Sequence, residues 1–246
     1  MISPHSESRL STSSQPFSPA RLGVLGGSFN PVHNGHLAIA QQTRDLLSLN
    51  HILFVPTGEP PHKSMGTLAS PKDRYEMVRL AIASDPTFGV SDVEITRPGK
   101  SYTLDTIRTL RYQYAPATRL FFLIGLDAFL EFPTWREPAT LLTLCSFVVI
   151  SRPGISFQSL ANMTLLPAIP EESLAALDAG WSSKLEVPLS NQQLICIHLP
   201  PIYVSASDVR NRVRQAQSVD NLLPASVESY IIQHHLYRED NDRTNV

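Results

Sequence analysis

The chain has 246 residues, of which 42% are hydrophobic and 17% are charged, and its formal net charge at pH 7 is -2. This length and composition predict an ordinary globular protein with one large α/β domain, and the near-neutral charge excludes a global field that would draw the chain to nucleic acid or anionic lipid. A local phosphate site remains compatible with that charge. From the net charge we expect no binding to nucleic acid. Because no apolar stretch is long enough to span a bilayer, we also expect a soluble, cytoplasmic protein that does not bind membranes.

Composition also divides the chain. Residues 1–20 are rich in serine and proline and lack the hydrophobic run of a signal peptide, so we predict a disordered tail there. A single domain is predicted over 21–237, followed by a polar tail over 238–246. Cys145 and Cys196 each lie in an apolar run; two buried thiols is the favoured interpretation, and a disulfide is the alternative.

From Arg21 onward, short apolar runs that are typical of strands alternate with segments of helical periodicity. The predicted strands, in chain order, are 21–27, 51–57, 88–95, 119–125, 146–152 and 194–199. The predicted helices are 36–49, 72–84, 101–114, 205–217 and 224–237, and Ser101 or Thr103 is available to cap the third of them. This alternation predicts a doubly wound parallel sheet, in which ligands bind beyond the carboxyl ends of the strands.

The stretch 153–192 interrupts the alternation. It contains four prolines, at positions 153, 167, 170 and 188, and a single weak helical pattern around 171–180. Proline removes a backbone donor and disfavours both helix interiors and central strands. We therefore predict an irregular insertion or flap over 153–192 and assign no chemistry to it.

The segment GGSFNPVHNGHLAIA, residues 26–40, connects the first predicted strand to the first predicted helix. Gly26 and Gly27 allow a sharp turn and a close approach of phosphate to the main chain. His33 and His36 are three residues apart and can face one point beside the helix N-terminus, whose unpaired N–H groups suit a polyphosphate. Imidazole donors at this position can stabilise the charge that develops during phosphoryl transfer, which favours a phosphate-handling site.

Two other interpretations of this histidine pair are a zinc site and a purely structural role. A zinc site needs a third and usually a fourth ligand. The other candidate histidines, His51, His62 and His198, lie in unrelated contexts, and both cysteines are in apolar runs. Phosphate handling is therefore favoured over both alternatives.

A second motif, VSASDVRNRV, occupies residues 204–213. Ser205 and Ser207 are suitable caps for the helix that follows, with Asp208 in its first turn. Arg210 would project from that first turn, where a guanidinium can clamp phosphate. The alternative is a capped surface helix with a solvated arginine.

Together the two motifs resemble the HxGH nucleotidyltransferase superfamily, which is related to class I aminoacyl-tRNA synthetases. Four further segments are similar to those of bacterial nicotinate mononucleotide adenylyltransferases: PTGEPPHK at 56–63, RPGKSYTLDT at 97–106, LIGLDAFLEFPTW at 123–135 and LLPASVESYIIQHHLY at 222–237. The resemblance covers roughly 21–237 and leaves 153–192 unmatched. Asn30 stands where that family usually has Asp, and Ser207 where it usually has Thr; both keep a hydrogen-bonding side chain.

The resemblance implies a Rossmann-like fold with a small C-terminal helical closure, and adenylyl transfer from ATP to nicotinate mononucleotide in NAD biosynthesis. It implies that Mg²⁺ is carried mainly by the ATP phosphates, with no metal site on the protein. The implied ATP-binding residues are Gly26, Gly27, Ser28, Phe29, His33, His36, Lys63, Gly125, Asp127, Ser207 and Arg210, of which His33, His36 and Arg210 would be catalytic. The implied nicotinate mononucleotide-binding residues are Ser101, Tyr102, Thr103 and Trp135.

Some of these residues have simpler interpretations. Lys63 would serve equally well as an exposed lysine of a proline-rich loop, Trp135 as a packing residue, and Asp127 as a helix cap. Rival functions are a phosphopantetheine or glycerol-phosphate nucleotidyltransferase, a synthetase fragment and a non-catalytic nucleotide sensor. The synthetase fragment is disfavoured because the sequence has no KMSKS-like loop. A homo-oligomer is compatible with the sequence.

Overall fold

The computed structural model describes residues 19–60 and 68–238. Its centre is a seven-stranded sheet. The strands are β1 (Arg21–Gly27), β2 (His51–Pro56), β3 (Phe88–Val90), β4 (Arg119–Gly125), β5 (Ser146–Ile150), β6 (Lys184–Leu189) and β7 (Gln192–Ile197). Their order is β3-β2-β1-β4-β5-β7-β6, and all neighbours are parallel except β6 and β7. The predicted doubly wound parallel sheet is confirmed.

Eight α-helices lie along the described residues. They are α1 (Asn34–Leu47), α2 (Pro71–Ile82), α3 (Thr103–Gln113), α4 (Leu126–Leu130), α5 (Pro138–Leu144), α6 (Glu171–Asp178), α7 (Ala206–Arg214) and α8 (Ala225–Gln233). None of these described helices is long and apolar enough to cross a membrane. The cytoplasmic location stays a prediction.

The core has two layers, one on each face of the sheet. Alternate residues of a strand point to opposite faces. In β4, Phe122 and Ile124 pack into a cluster with α3, α5 and α6, whereas Phe121 and Leu123 pack into a second cluster with α1, α2, α7 and α8. Burial on both faces explains why these strands are nearly continuous apolar runs.

The strand order reverses beside β1. From β1 the chain adds β2 and β3 on one side, and then returns to add β4 and β5 on the other. Leu25 pairs with Leu123, so the carboxyl ends of the two strands, at Gly27 and Gly125, stand next to each other. A crevice at such a switch point is where ligands bind in this fold class.

Helix capping agrees with the sequence at one place and differs at another. Ser205 caps α7, its Oγ accepting from the Asp208 N–H at 3.1 Å, as predicted. For α3 the N-cap residue is Tyr102, without a side-chain hydrogen bond, so a cap by Ser101 or Thr103 is wrong.

The stretch 153–192 is not irregular. It contains a 3-10 helix (Phe157–Asn162), α6 and the edge strand β6. Phe157 and Leu174 are fully buried in the core, and Val187 is buried in β6. Pro188 is compatible with a strand because β6 lies at the sheet edge, where one side needs no ladder bond. The predicted irregular flap is therefore wrong: Pro188 lies in an edge strand and Pro170 precedes the first residue of α6, two positions where proline does not interrupt regular structure.

Other boundaries also moved. The strand predicted over 88–95 ends at Val90, and the short helices α4 and α5 were not predicted. The fold begins before Arg21, because the Ala20 carbonyl accepts from the Arg119 N–H at 2.8 Å. The rest of the predicted N-terminal tail, residues 1–18, and most of the C-terminal one, residues 239–246, lie outside the described residues.

Cys145 and Cys196 are buried free thiols, as favoured, and burial raises the pKa of each to about 12.

Candidate active site

A cavity of about 740 Å³ opens at the carboxyl ends of β1 and β4, within the size range of small-molecule sites. Ten of the predicted site residues line it: Gly26, Gly27, Ser28, His36, Ser101, Tyr102, Thr103, Gly125, Asp127 and Trp135. Four others, Phe29, His33, Ser207 and Arg210, do not line it. Lys63 lies outside the described residues.

The two histidines stand at the start of α1 and touch each other. His33 is the N-cap residue, and its ring stacks on that of His36 with centroids 3.7 Å apart. The His33 N–H donates to His36 Nδ1 at 3.2 Å. A backbone N–H can only donate, so Nδ1 of His36 is the acceptor and the neutral ring carries its proton on Nε2. Of the two ring nitrogens, Nε2 is therefore the donor available to a ligand in the cavity.

Both imidazoles are held neutral. Burial lowers the pKa of His33 to about 4, with a smaller contribution from the charge of Arg152. Burial, then His33 and then Arg152 hold the pKa of His36 well below its usual value. At neutral pH the pair therefore offers hydrogen bonds without carrying a charge of its own.

Gly35, between the two histidines, lies in a tightly packed position. A Cβ on Gly35 would lie 3.0 Å from His33 Nδ1 and 3.2 Å from a methyl carbon of Ile202. At these distances the His33 ring and Ile202 would have to shift by a few tenths of an ångström to admit a methyl group. The glycine of the HNGH motif thus allows close packing around the His33 ring.

Phe29 supports the histidines from below rather than lining the cavity. It is 2% exposed, and its ring meets His36 edge-on at 5.0 Å and Phe54 at 5.7 Å. The Phe29 ring therefore packs behind His36 in the core, and contact between Phe29 and ATP stays a prediction.

Arg210 and Ser207 lie on α7, outside the cavity wall, and their contact with ATP stays a prediction. Arg210 donates from one terminal nitrogen to the Asn30 carbonyl at 2.8 Å, which ties α7 to the loop after β1. Ser207 is exposed, and its hydroxyl oxygen lies 3.0 Å from that of Ser205, the cap of α7. In this structure Arg210 holds the loop that carries the histidines, and neither side chain reaches the cavity wall.

A charged pair stands just beyond the carboxyl ends of the neighbouring strands β4 and β5. Arg152, which follows β5, donates to the Asp127 carboxylate at 3.3 Å, and both side chains are about half exposed and line the cavity. A Cβ on Gly125 would collide with both groups, so only glycine permits the pair to approach the strand end. Arg152 was missed from the sequence; its only signal is its place directly after a buried strand.

The far end of the cavity is formed by aromatic side chains and the start of α3. Trp135 is half-buried and packs against Phe122 and Phe132, with ring centroids 6.3 and 5.6 Å away. The Arg136 guanidinium lies over the Tyr102 ring, 5.1 Å from its centroid, which is a cation–π contact that the sequence did not reveal. This end suits a flat ring and an anionic substituent.

One of the backbone donors at this end is already used within the protein. The Ser101 N–H already donates to the Glu59 carbonyl at 2.8 Å. Tyr102 and Thr103 begin α3, and the first N–H groups of a helix have no acceptor within it. The donors available to a ligand carboxylate are therefore those at the helix start, and the positive end of α3 points to the same place.

Glu94 is a buried acid in the cavity wall that the sequence analysis did not single out. Its Oε1 accepts from the Thr106 hydroxyl at 2.6 Å, and burial raises its pKa despite this bond. This bond joins the segment after β3 to α3, and the Ser101–Glu59 bond joins the loop after β2 to the residue just before the α3 cap. Within the described residues, no group of three or more His, Cys, Asp or Glu could hold a metal ion, so that part of the chain gives the zinc interpretation no support.

Comparison with known proteins places this site in a family. The cytidylyltransferase-like family model matches residues 24–212. The chain is 41% identical to the Geotalea daltonii protein named "Probable nicotinate-nucleotide adenylyltransferase", over 89% of this chain and 99% of that one. It is 40% identical to a protein of the same name from Desulfitobacterium hafniense strain Y51, over 89% and 97%.

The fold is also that of solved structures. Plasmodium falciparum nicotinic acid mononucleotide adenylyltransferase complexed with NaAD superposes with a TM-score of 0.65 at 19% identity, covering 88% of this chain and 97% of that one. The sheet and the histidine pair at its switch point define the class, an α/β nucleotidyltransferase. The chain belongs to the cytidylyltransferase-like family and, within it, to the nicotinate-nucleotide adenylyltransferases. The family resemblance read from the motifs is confirmed.

Proposed function

We propose that this protein transfers the adenylyl group of ATP to nicotinate mononucleotide, giving nicotinate adenine dinucleotide and pyrophosphate, as a step of NAD biosynthesis. One observation carries the proposal beyond family membership. The neutral His36 ring, oriented by the His33 N–H, presents its Nε2 donor to a cavity at the switch point of the sheet. That is a preorganised donor where phosphate charge would develop.

The reaction is a direct in-line displacement. A phosphate oxygen of nicotinate mononucleotide forms a bond to the α-phosphorus of ATP while the bond to the pyrophosphate oxygen breaks, and the electron pair leaves with pyrophosphate. The attacking phosphate is already anionic, so no general base or enzyme nucleophile is needed. Catalysis then consists of positioning and charge stabilisation.

The protein groups divide between the substrates. His36 would donate to the ATP phosphates beside the N-terminus of α1, and His33 would fix its orientation. Arg152 would hold the acceptor phosphate, because it is the cation at the cavity wall next to the histidine pair. Gly125 and Asp127 would lie near the sugars between the two substrates.

Mg²⁺ would be carried mainly by the ATP phosphates. Of the two described acids that line the cavity, Glu94 is buried and bonded to Thr106, and Asp127 is paired with Arg152. Two acids that are already partnered do not make a cage, whereas Mg²⁺ readily uses phosphate oxygens and water. The ion would neutralise charge on the leaving pyrophosphate.

We propose that the nicotinate ring stacks on Trp135 and that its carboxylate accepts from the N–H groups that begin α3, with Arg136 nearby. These groups only donate, so they satisfy a carboxylate and oppose the NH₂ of an amide. One buried unsatisfied group costs about 1–3 kcal/mol, and two such conflicts give roughly 10²-fold discrimination or more. Stacking holds either ring and adds affinity without selectivity.

The test is a pyrophosphate-release assay with ATP and Mg²⁺, in which nicotinate mononucleotide, nicotinamide mononucleotide and phosphopantetheine are compared as acceptors. We expect kcat/KM for the nicotinate form to exceed that for the nicotinamide form by about 10²-fold. Equal values would refute the specificity and leave adenylyl transfer intact. Binding of ATP by calorimetry without any pyrophosphate release would instead favour a nucleotide sensor.

A further inference from the structure

The loop after β1, residues 28–33, is held in place by side chains from distant parts of the chain. We call it the phosphate loop, because it ends at His33 and leads into α1. Four bonds reach it: one each from α2, α7 and the segment after α8, and one from Ala69, which precedes α2. None of these contacts comes from a residue that lines the cavity, so the geometry of the histidine pair depends on groups behind it.

Arg74 of α2 makes the first of these contacts. Its side chain is fully buried, and each of its three guanidinium nitrogens donates to a main-chain carbonyl: Ser28 at 2.8 Å, Gly58 at 3.0 Å and Ala69 at 3.1 Å. A planar fork can bind three carbonyls at fixed angles, which an ammonium group cannot do. Arg74 therefore fixes the phosphate loop relative to the loop after β2 and the start of α2.

Tyr237 makes the second contact, from the other end of the chain. Its hydroxyl donates to Asn30 Oδ1 at 2.9 Å, and the same oxygen accepts from the Ala69 N–H at 2.9 Å. Burial raises the pKa of the Tyr237 phenol, which keeps it protonated and able to donate. Arg210 binds the Asn30 carbonyl, so one residue of the loop is held from three directions.

A second tie from the same region reaches the first residue of α1. The Asn34 N–H donates to the Leu222 carbonyl at 2.9 Å, and its side-chain amide donates to the Asn221 carbonyl at 2.8 Å. The C-terminal segment from Asn221 to Tyr237 thus binds the turn that carries His33 on both sides, at Asn30 and at Asn34. Neighbouring Tyr230 makes a comparable hydroxyl bond, to Asp73 at 3.0 Å, but it does not touch the loop.

We infer that Arg74 and Tyr237 are positioning residues for the transferase reaction, which hold the phosphate loop in the conformation that aims the histidine pair at the ATP phosphates. They touch no substrate. Loss of the Tyr237 hydroxyl leaves Asn30 with its Ala69 partner and loosens the loop without emptying the core. Loss of the Arg74 fork releases three carbonyls at once, so its effect is larger. This inference rests on the proposed function for its kinetic part only.

The experiment compares Tyr237→Phe with Tyr230→Phe, because each variant removes one phenol hydrogen bond from the same face of the protein. Hydrogen exchange of residues 28–36 and steady-state kinetics with ATP and nicotinate mononucleotide are measured on both. For Tyr237→Phe we expect faster exchange in 28–36 and kcat lowered about two- to tenfold, the worth of one hydrogen bond, with the acceptor KM nearly unchanged. Tyr230→Phe keeps wild-type exchange in 28–36 and wild-type kcat.

Arg74→Lys keeps the charge and loses the fork, and we expect kcat to fall roughly 10- to 100-fold in soluble, folded protein. If this variant fails to fold, Tyr237→Phe carries the test alone. Wild-type exchange and kcat in Tyr237→Phe would overturn the inference, as would equal losses in Tyr237→Phe and Tyr230→Phe. If the wild-type protein releases no pyrophosphate from these substrates, the proposed function fails, while the exchange comparison still decides the positioning role.

Discussion

Replacement of His36 by alanine removes the donor on which the proposed mechanism depends. The lost group is a neutral Nε2–H at the wall of the cavity, oriented by the 3.2 Å bond from the His33 N–H to Nδ1. Loss of one preorganised donor to developing charge costs about 2.7–4 kcal/mol, or roughly 10²–10³ in kcat. The stack with His33 at 3.7 Å is also lost, so the total effect extends toward 10⁴.

Two further variants separate orientation from donation. His36→Asn keeps an acceptor close to the position of Nδ1 and should preserve the His33 N–H bond, with a normal Tm but a rate close to that of alanine. His36→Gln can place an amide N–H near the position of Nε2 and should recover part of the rate. His198→Ala, a half-buried histidine outside the cavity wall, is the control and should be unaffected.

The assay is pyrophosphate release at saturating ATP, Mg²⁺ and acceptor, with circular dichroism and Tm as folding controls. The pKa of His36 is held well below its usual value, so it is already neutral at pH 7 and kcat should be flat from pH 7 to about 8.5. A cationic His36 would instead make kcat fall with rising pH. The reasoning is refuted by an alanine variant with a normal Tm and kcat within about threefold of wild type.

Three further predictions concern stability and the site walls. The pKa of His33 is about 4 in the folded state against about 6.5 when unfolded, so between these pH values the unfolded state binds more protons and the free energy of unfolding falls as pH drops. At pH 5 the loss is about 2 kcal/mol, which urea unfolding can measure. The loss should be smaller in His33→Gln, which has no imidazole at this position. Arg210→Lys keeps the charge and loses the fork that binds a loop carbonyl, so KM for ATP or kcat should change and the acceptor KM should not; the reverse pattern would contradict this placement. Gly125→Ala should lower kcat/KM at an almost unchanged Tm, because the added methyl group displaces the half-exposed side chains of Asp127 and Arg152. A Gly125→Ala variant with the kcat/KM of the wild type would show that the Asp127–Arg152 pair is not needed.

Much of the fold could be predicted because its signals are local. A strand buried on both faces is a nearly unbroken apolar run, and several such runs alternating with helices are compatible with few architectures. Edge strand β6 was not predicted, because an edge strand is half-exposed and tolerates Pro188 and therefore lacks the apolar run that marks a central strand. Helices α4 and α5 were not predicted, because five and seven residues are too few to show the helical periodicity of apolar residues.

The amino-acid sequence by itself determined the family, the sheet class and the histidine pair. The reason is that the residues that mark them, two glycines and the HNGH motif, all lie within the short segment 26–36. Only the tertiary structure decided what holds that turn. Arg210 reaches Asn30 across 180 positions of sequence and Tyr237 across 207, and no local pattern marks such partners. The placement of Arg152 likewise depends on β5 lying beside β4, since a cation takes its role from the charges and dipoles that folding brings to it.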